Sequence, residues 1–489
     1  MQDKNPKLPL IAIKFSNTVF VIGIIFSILI GLYASYRIFN PIYDFSLGNK
    51  GIENFYIIAI LLSTLFLVFF SLGLKFLNNN QKINISILFF TIGVSIYGFE
   101  TFLEFSTKTE IEILAKQAKK LGVPYDTRTK TEVRDSLREK GIEALPNMHG
   151  YYWMEENGFA SKNGRIYPLA TVSNSTTILH NQSGFYPVVE MDEHGYHNPK
   201  GLYLENKVDI VLTGDSFAEG YAVNSDENIT ALLRKLDFKA ISLGKGGNGP
   251  LLELATIKEY AEPIKPKIVL WLYFANDLNN LKYEMQSSIL KSYLNEENFS
   301  QNLISRQDEI DSVLMSYVRK VWKIERDKAK ESNVKRERLS NNHLIKILKL
   351  YNLRTINNLI PTPTHLKSQP SDQDVLPVFR EILNKSSLRI SKWGGKMYLI
   401  YLPAYGRYSK DYDHNFSLSD RDFVISTATE LDIPVIDIHK EVFAKHSDPL
   451  SLFPLRLNAH YTAEGYKLVT EVIEKRIRAD GYISIESSK

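Results

Sequence analysis

Residues 208–217 read VDIVLTGDSF. From Val208 to Leu212 every position but Asp209 is β-branched or aliphatic, the pattern of a strand buried on both faces. The run breaks at Gly214-Asp215, residues that favour turns, and Ser216 follows at once. In open α/β sheets, ligands bind outside the carboxyl ends of the strands, so a serine delivered there stands where chemistry is done. Four more strand-length runs follow, at 238–243 (FKAISL), 268–274 (IVLWLYF), 396–402 (KMYLIYL) and 432–438 (DIPVIDI). Helical spacing fills 227–236, 250–261, 376–392, 419–431 and 462–478. Strands alternating with helices predict an α/β domain, a parallel sheet with helices on both faces.

The next strand ends also open into small polar loops. Gly244-Lys245-Gly246-Gly247-Asn248-Gly249-Pro250 follows the second run and Ala275-Asn276-Asp277 the third, while His460 stands in NAHYTAEGY (458–466), just before the last helix. Gly-Asp-Ser by itself is common turn chemistry, and it is not the G-x-S-x-G elbow of the α/β-hydrolases. In this order and on these strand ends, however, the pieces resemble the SGNH hydrolases, or GDSL-like esterases, over roughly 205–280 and 395–475. The resemblance implies a flavodoxin-like three-layer fold and esterase or acyl-transfer chemistry, with Ser216, Gly247, Asn276 and His460 matching the four residues that name the family.

The chemistry of ester cleavage asks for the same groups. Ser216 Oγ would attack the carbonyl, and His460 would take its proton and return it to the leaving alcohol. The N–H groups of Ser216 and Gly247, with the Asn276 amide, would hold the oxyanion; Asp215 and Asp277 would support them. No metal or cofactor is called for. Two positions depart from the family. Phe274 replaces the glycine usual two residues before the asparagine. Leu457 replaces the aspartate usual three residues before the histidine, so His460 lacks its expected orienter. A Ser–His dyad, a backbone carbonyl or another carboxylate would have to serve, and Asp448 is the nearest carboxylate upstream.

Other readings compete. Residues 244–249 fit G-x-G-x-x-G, but after the second strand rather than the first, and no acidic residue follows at the spacing a dinucleotide site needs. Asp192-Glu193-His194-Gly195-Tyr196-His197 could bind a metal, though the intervening glycine favours a structural turn. With the acid missing, the domain could also be a catalytically degenerate scaffold that binds glycan.

The first hundred residues are of another kind. Segments at about 16–39, 55–76 and 83–103 are almost free of charge, and each is long enough to span a hydrocarbon core of roughly 30 Å. A cleaved signal peptide would account only for the first. Lys4, Lys7 and Lys14 precede the first segment, and Lys75 and Lys82 lie between the second and third. The positive-inside rule then puts the N-terminus and the 75–82 loop in the cytoplasm. Three crossings place everything after residue 105 on the non-cytoplasmic side, which is the periplasm if the host is a bacterium.

The expected organisation is a membrane anchor (1–105), a mixed accessory region (106–205) and an SGNH-like domain (206–480) with a helical insertion at 281–375. Within that insertion, 319–338 carries nine Lys or Arg against four acids, most simply a solvated helix face; 343–360 reads as a basic amphipathic helix. Aromatic residues Tyr151, Tyr152, Trp153 and Tyr167 would either stack on sugar rings or form the core of a small β unit. The expected partners are the bilayer, an acylated carbohydrate or other ester, and, for a transferase, a membrane protein supplying the acyl group. A net charge of +4 on 114 charged groups gives no reason to expect nucleic acid. The absence of cysteine excludes disulfides, thiolate metal sites and a cysteine nucleophile.

Overall fold

The structure is a computed structural model and describes residues 8–39, 49–106, 109–154, 156–205, 208–340, 372–409 and 418–481. The chain divides into two compact units, one taking in residues 1–108 and 335–368 and the other residues 109–334 and 369–489. The predicted helix at 343–360 lies outside the described residues.

The first unit contains three helices, Leu10–Phe39, Asn49–Phe76 and Asn79–Ser106. Their apolar stretches are long enough to cross a membrane. Glycines let them approach closely: a Cβ on Gly23 would stand 2.6 Å from the Phe70 ring, and one on Gly73 would strike Phe20. Small residues at such contacts are what close helix packing in lipid requires.

The second unit is built on a five-stranded parallel sheet. Among the described residues, the strands of the unit are, in chain order, β1 (Ala144–Pro146), β2 (Phe159–Ser161), β3 (Gly164–Ile166), β4 (Thr176–Ile178), β5 (Val188–Glu190), β6 (Ile210–Thr213), β7 (Ala240–Ser242), β8 (Ile268–Tyr273), β9 (Lys396–Tyr401) and β10 (Val435–Asp437). The main sheet has the order β7-β6-β8-β9-β10, every pairing parallel. Counted along these five strands that order is 2-1-3-4-5, the flavodoxin-like winding, with its switch point between the first and third strands.

Successive residues of each strand feed opposite cores, which explains why the runs are apolar throughout. Val211, Val269, Trp271 and Leu399 face one side, where they meet helices Pro250–Thr256 and Asp372–Lys392. Ile210, Leu212, Leu270 and Ile400 face the other, against helices Ile229–Lys235 and Ala463–Asp480. The five strands predicted for this sheet and the helices predicted at 227–236, 250–261, 376–392, 419–431 and 462–478 are present, their ends shifted by a few residues.

Residues 109–205 contribute to the first of these cores, apart from a small cluster of Leu179, Val189 and Met191 with Tyr221. Trp153, Tyr167, Ile178 and Tyr196 are wholly buried among the sheet and helix residues. A second sheet, β1-β4-β5, lies in this stretch, with β4 and β5 an antiparallel pair. The insertion begins with helices Asp277–Glu284 and Ser288–Asn295 and the long helix Gln307–Ser340. Ile310, Leu314, Tyr317, Val321 and Trp322 of the long helix, at helical spacing, join the same core.

Candidate active site

The sequence brings Ser216 to the sheet's carboxyl edge by a sharp turn. Gly214 has φ +151°, and a Cβ there would stand 3.0 Å from the carbonyl oxygen of Leu272 on the adjacent strand. Asp215 then caps the short helix Ser216–Glu219, its Oδ1 accepting the Phe217 N–H at 2.9 Å. Ser216 is the first residue of that helix, so its own N–H has no partner within it.

His460 reaches the serine from the other end of the chain. Its Nε2 stands 2.6 Å from Ser216 Oγ. On the far side of the ring, Gln182 Oε1 lies 2.7 Å from Nδ1 and 3.1 Å from the His460 backbone nitrogen. A backbone N–H can only donate, so the atom of Gln182 facing it is the carbonyl oxygen. The same oxygen therefore accepts from Nδ1–H, and Nε2 keeps the lone pair that receives the serine hydroxyl. The imidazole packs against Phe217 and Tyr221, with ring centroids 4.6 and 5.0 Å away. Burial holds its pKa well below the ordinary imidazole value, which keeps it a neutral base at physiological pH.

Gln182 comes from the loop joining β4 to β5. Asn181 closes that loop, its Oδ1 accepting the Gly184 N–H at 3.0 Å and its Nδ2 donating to the Asp126 carbonyl at 2.9 Å. Gly184 has φ +99°, and a Cβ on it would lie 2.6 Å from the Pro124 carbonyl oxygen. No acidic residue marks this loop, and nothing in its spacing points to a histidine 278 positions away. The sequence reading missed it for that reason.

Asp448 is not at the histidine. It binds Arg456 through two hydrogen bonds, at 2.5 and 2.8 Å, and that guanidinium holds its carboxyl below the usual range. The side chain hydrogen-bonded to the far side of the imidazole is a neutral amide, Gln182, not an upstream acid.

The loops after β7 and β8 complete the edge. Asn276 hydrogen-bonds the buried Asp215 carboxylate. A carboxylate only accepts, so the Asn276 nitrogen faces it and has a second N–H to spare. Asp277 turns back, its Oδ2 accepting the Phe274 N–H at 3.0 Å. Phe274 packs on Phe217 with ring centroids 4.3 Å apart, so the departure from glycine fills space rather than obstructing it.

Gly247 has φ +75°, and among the described residues its N–H has no intramolecular acceptor. A buried ion pair holds its loop: Lys245 Nζ lies 2.5 Å from Glu219 Oε1 and 2.6 Å from Asn147 Oδ1. The Gly246 N–H donates to Glu219 Oε2 at 2.7 Å, and that of Gly249 to Glu284 Oε1 at 2.7 Å. Carboxylates thus already occupy amides that a dinucleotide phosphate would need.

The 192–197 segment is a turn closed on Asp192, whose carboxylate accepts the N–H groups of His194 and Tyr196. His194 pairs with Gln307, while His197 goes to the Glu219 carbonyl and to Ser225.

Ser216, Gly247, Asn276, His460 and Gln182 each keep partial exposure, while Asp215, Lys245, Glu219 and Asp277 beneath them are buried. The result is an accessible serine–histidine pair over a buried polar floor.

No protein-family model matches the chain, and no curated protein does. Among solved structures, a lipase/acylhydrolase from Enterococcus faecalis is 13% identical, covering 56% of this chain and 96% of its own, with a TM-score of 0.31. An acetyl xylan esterase, AlAXEase, is 10% identical over 55% of this chain and 100% of its own, at 0.31. A GDSL-like lipase from Bacteroides thetaiotaomicron VPI-5482 is 10% identical over 57% and 90%, at 0.28. At these scores the matches decide nothing beyond themselves. The class of the domain, an α/β sheet of flavodoxin-like order with a serine–histidine pair at its strand ends, follows from its own geometry.

Proposed function

We propose that this chain is a membrane-anchored serine esterase that cleaves O-acyl esters, acetyl esters of cell-surface carbohydrate in particular. The observation that carries the reading is the 2.6 Å contact of Ser216 Oγ with His460 Nε2, in the tautomer that Gln182 imposes.

In the first half-reaction Ser216 Oγ attacks the ester carbonyl carbon as its proton passes to His460 Nε2. The oxyanion is held by the Ser216 and Gly247 N–H groups and the spare N–H of Asn276, and Gln182 Oε1 holds Nδ1–H of the imidazolium. Collapse breaks the acyl C–O bond, and the alcohol departs with the proton from Nε2. In the second half-reaction water attacks the acyl-serine carbonyl as its proton passes to His460 Nε2; the acyl C–Oγ bond breaks, Ser216 Oγ takes that proton back, and the acid is released. A sugar hydroxyl in place of water would make the same machinery an O-acyltransferase, recharged by a membrane partner. Three N-terminal helices long and apolar enough to cross a membrane support the anchoring, and the lysine bias favours a catalytic domain on the non-cytoplasmic side. Gln182 meets the objection behind the degenerate-scaffold reading, since the histidine has an orienter.

The test is turnover of p-nitrophenyl acetate by the full chain in detergent, beside Ser216→Ala and His460→Ala, together with labelling by a phosphonate. Loss of turnover by orders of magnitude in both variants, with labelling confined to Ser216, is expected. An inert wild type that also resists the phosphonate sinks the proposal.

A further inference from the structure

The four aromatic residues singled out in the sequence divide sharply in the fold. Trp153 and Tyr167 are wholly buried; Trp153 Nε1 donates to the Pro168 carbonyl at 3.1 Å and Tyr167 Oη to the Gly150 carbonyl at 2.9 Å. Those two bonds pin the turn Gly150–Trp153 at both ends. Tyr151, between them, is 49% exposed. Its ring lies parallel to that of His149, with centroids 5.6 Å apart and 9° between the planes, and leans on Tyr152 at 4.6 Å. Its edge closes on the oxyanion loop: a Cβ on Gly247 would stand 2.8 Å from Tyr151 Cδ1.

From this placement we infer that Tyr151 is a specificity-determining residue, a platform on which the sugar ring bearing the ester stacks. The inference rests on the esterase reading above. An ester carbonyl held by Gly247 has Tyr151 as its immediate neighbour, so the group attached to that carbonyl must run across the ring. Beside it stand the partly exposed His149 and Tyr152, rings with polar edges, over the buried Tyr221, whose hydroxyl accepts from Asn147 Nδ2 at 2.6 Å and lies 3.4 Å from His149 Nε2. A flat aromatic face meets the C–H face of a pyranose, and polar edges meet its hydroxyls. A lipid acyl chain would call instead for an aliphatic wall. Because the ring is held by anchors on both sides, stacking costs little ordering.

The experiment compares two esters of one acyl group, glucose acetylated on its primary hydroxyl and ethyl acetate, using the full chain in detergent as wild type, Tyr151→Ala and Tyr151→Trp. A stacking platform predicts that Tyr151→Ala lowers kcat/KM for the sugar ester about tenfold more than for ethyl acetate, mainly through KM, and that Tyr151→Trp restores the ratio. Equal losses on both esters would make Tyr151 a prop for the oxyanion loop and overturn the inference. So would a wild type that does not prefer the sugar ester, and in both cases the esterase reading survives. A wild type that turns over neither ester and resists the phosphonate overturns both.

Discussion

A single oxygen, Gln182 Oε1, collects both N–H donors of His460, the ring Nδ1–H at 2.7 Å and the backbone N–H at 3.1 Å. It therefore fixes the tautomer and the rotation of the base at once, as a triad acid does, but without a charge to stabilise the imidazolium. Burial already lowers the His460 pKa, and a neutral amide does not raise it again. The acid limb of kcat/KM should consequently lie well below the ordinary imidazole value of about 6.5. In Gln182→Glu, an ionised carboxylate beside Nδ1 favours the protonated ring and raises its pKa, so the limb should move toward neutral pH. In Gln182→Ala the ring is unheld, and kcat should fall by about tenfold to a hundredfold, a part of the roughly 10²–10⁴-fold that general-base catalysis supplies. pH–rate profiles of the three proteins decide the matter; an unmoved limb in Gln182→Glu would remove Gln182 from the mechanism.

Asn276 is held by Asp215 with one N–H to spare. If that N–H stabilises the oxyanion, Asn276→Ala should lower kcat by about 10²–10³-fold and leave KM nearly unchanged. Steady-state kinetics on p-nitrophenyl acetate give the answer, and a change confined to KM would assign Asn276 to ground-state binding.

The Lys245–Glu219 pair has no exposed side-chain surface. Burial pushes Glu219 upward, but Lys245, His149 and the hydrogen bonds around it outweigh burial and hold it low. Lys245→Met strands that charge and should cost about 3–5 kcal/mol. Removing both charges in Lys245→Met/Glu219→Gln should recover much of the loss. Thermal unfolding of the two variants measures this; a double variant no more stable than the single one would show that the pair acts through packing.

Gly184→Ala places a Cβ against the Pro124 carbonyl oxygen in a backbone that L-residues avoid. The expected cost is about 1 kcal/mol or more, with activity falling as in Gln182→Ala because the loop carries the orienter. Normal activity in a correctly folded Gly184→Ala would mean that Gln182 is positioned by other contacts.

The main sheet was legible because burial on both faces leaves a run such as IVLWLY with no polar interruption, and because the turn residues after β6, β7 and β8 stop each run at the same edge. Ser216, Gly247, Asn276 and His460 were legible for the same reason: each follows a strand end or precedes a helix. Gln182 was not, because a neutral amide in a hairpin loop carries no signal of charge or period. Asp448 attracted attention as the nearest acid in sequence, but Arg456, eight residues on, satisfies it. Sequence order also suggested that 106–205 stood apart from the α/β domain, whereas Trp153 and Tyr167 lie in the core that contains Trp271.

That shared core bears on how this catalyst can be inherited or cut down. Ser216 and His460 belong to the α/β domain, but Gln182, hydrogen-bonded to His460, and Tyr151, against Gly247, belong to residues 109–205. A fragment starting at Ile210 would keep the residues that resemble a family and lose those that set this protein apart, exposing the apolar side of the sheet as well. The segment ahead of the sheet is thus not a detachable module, and recombination that exchanged it would hand the serine a different histidine environment.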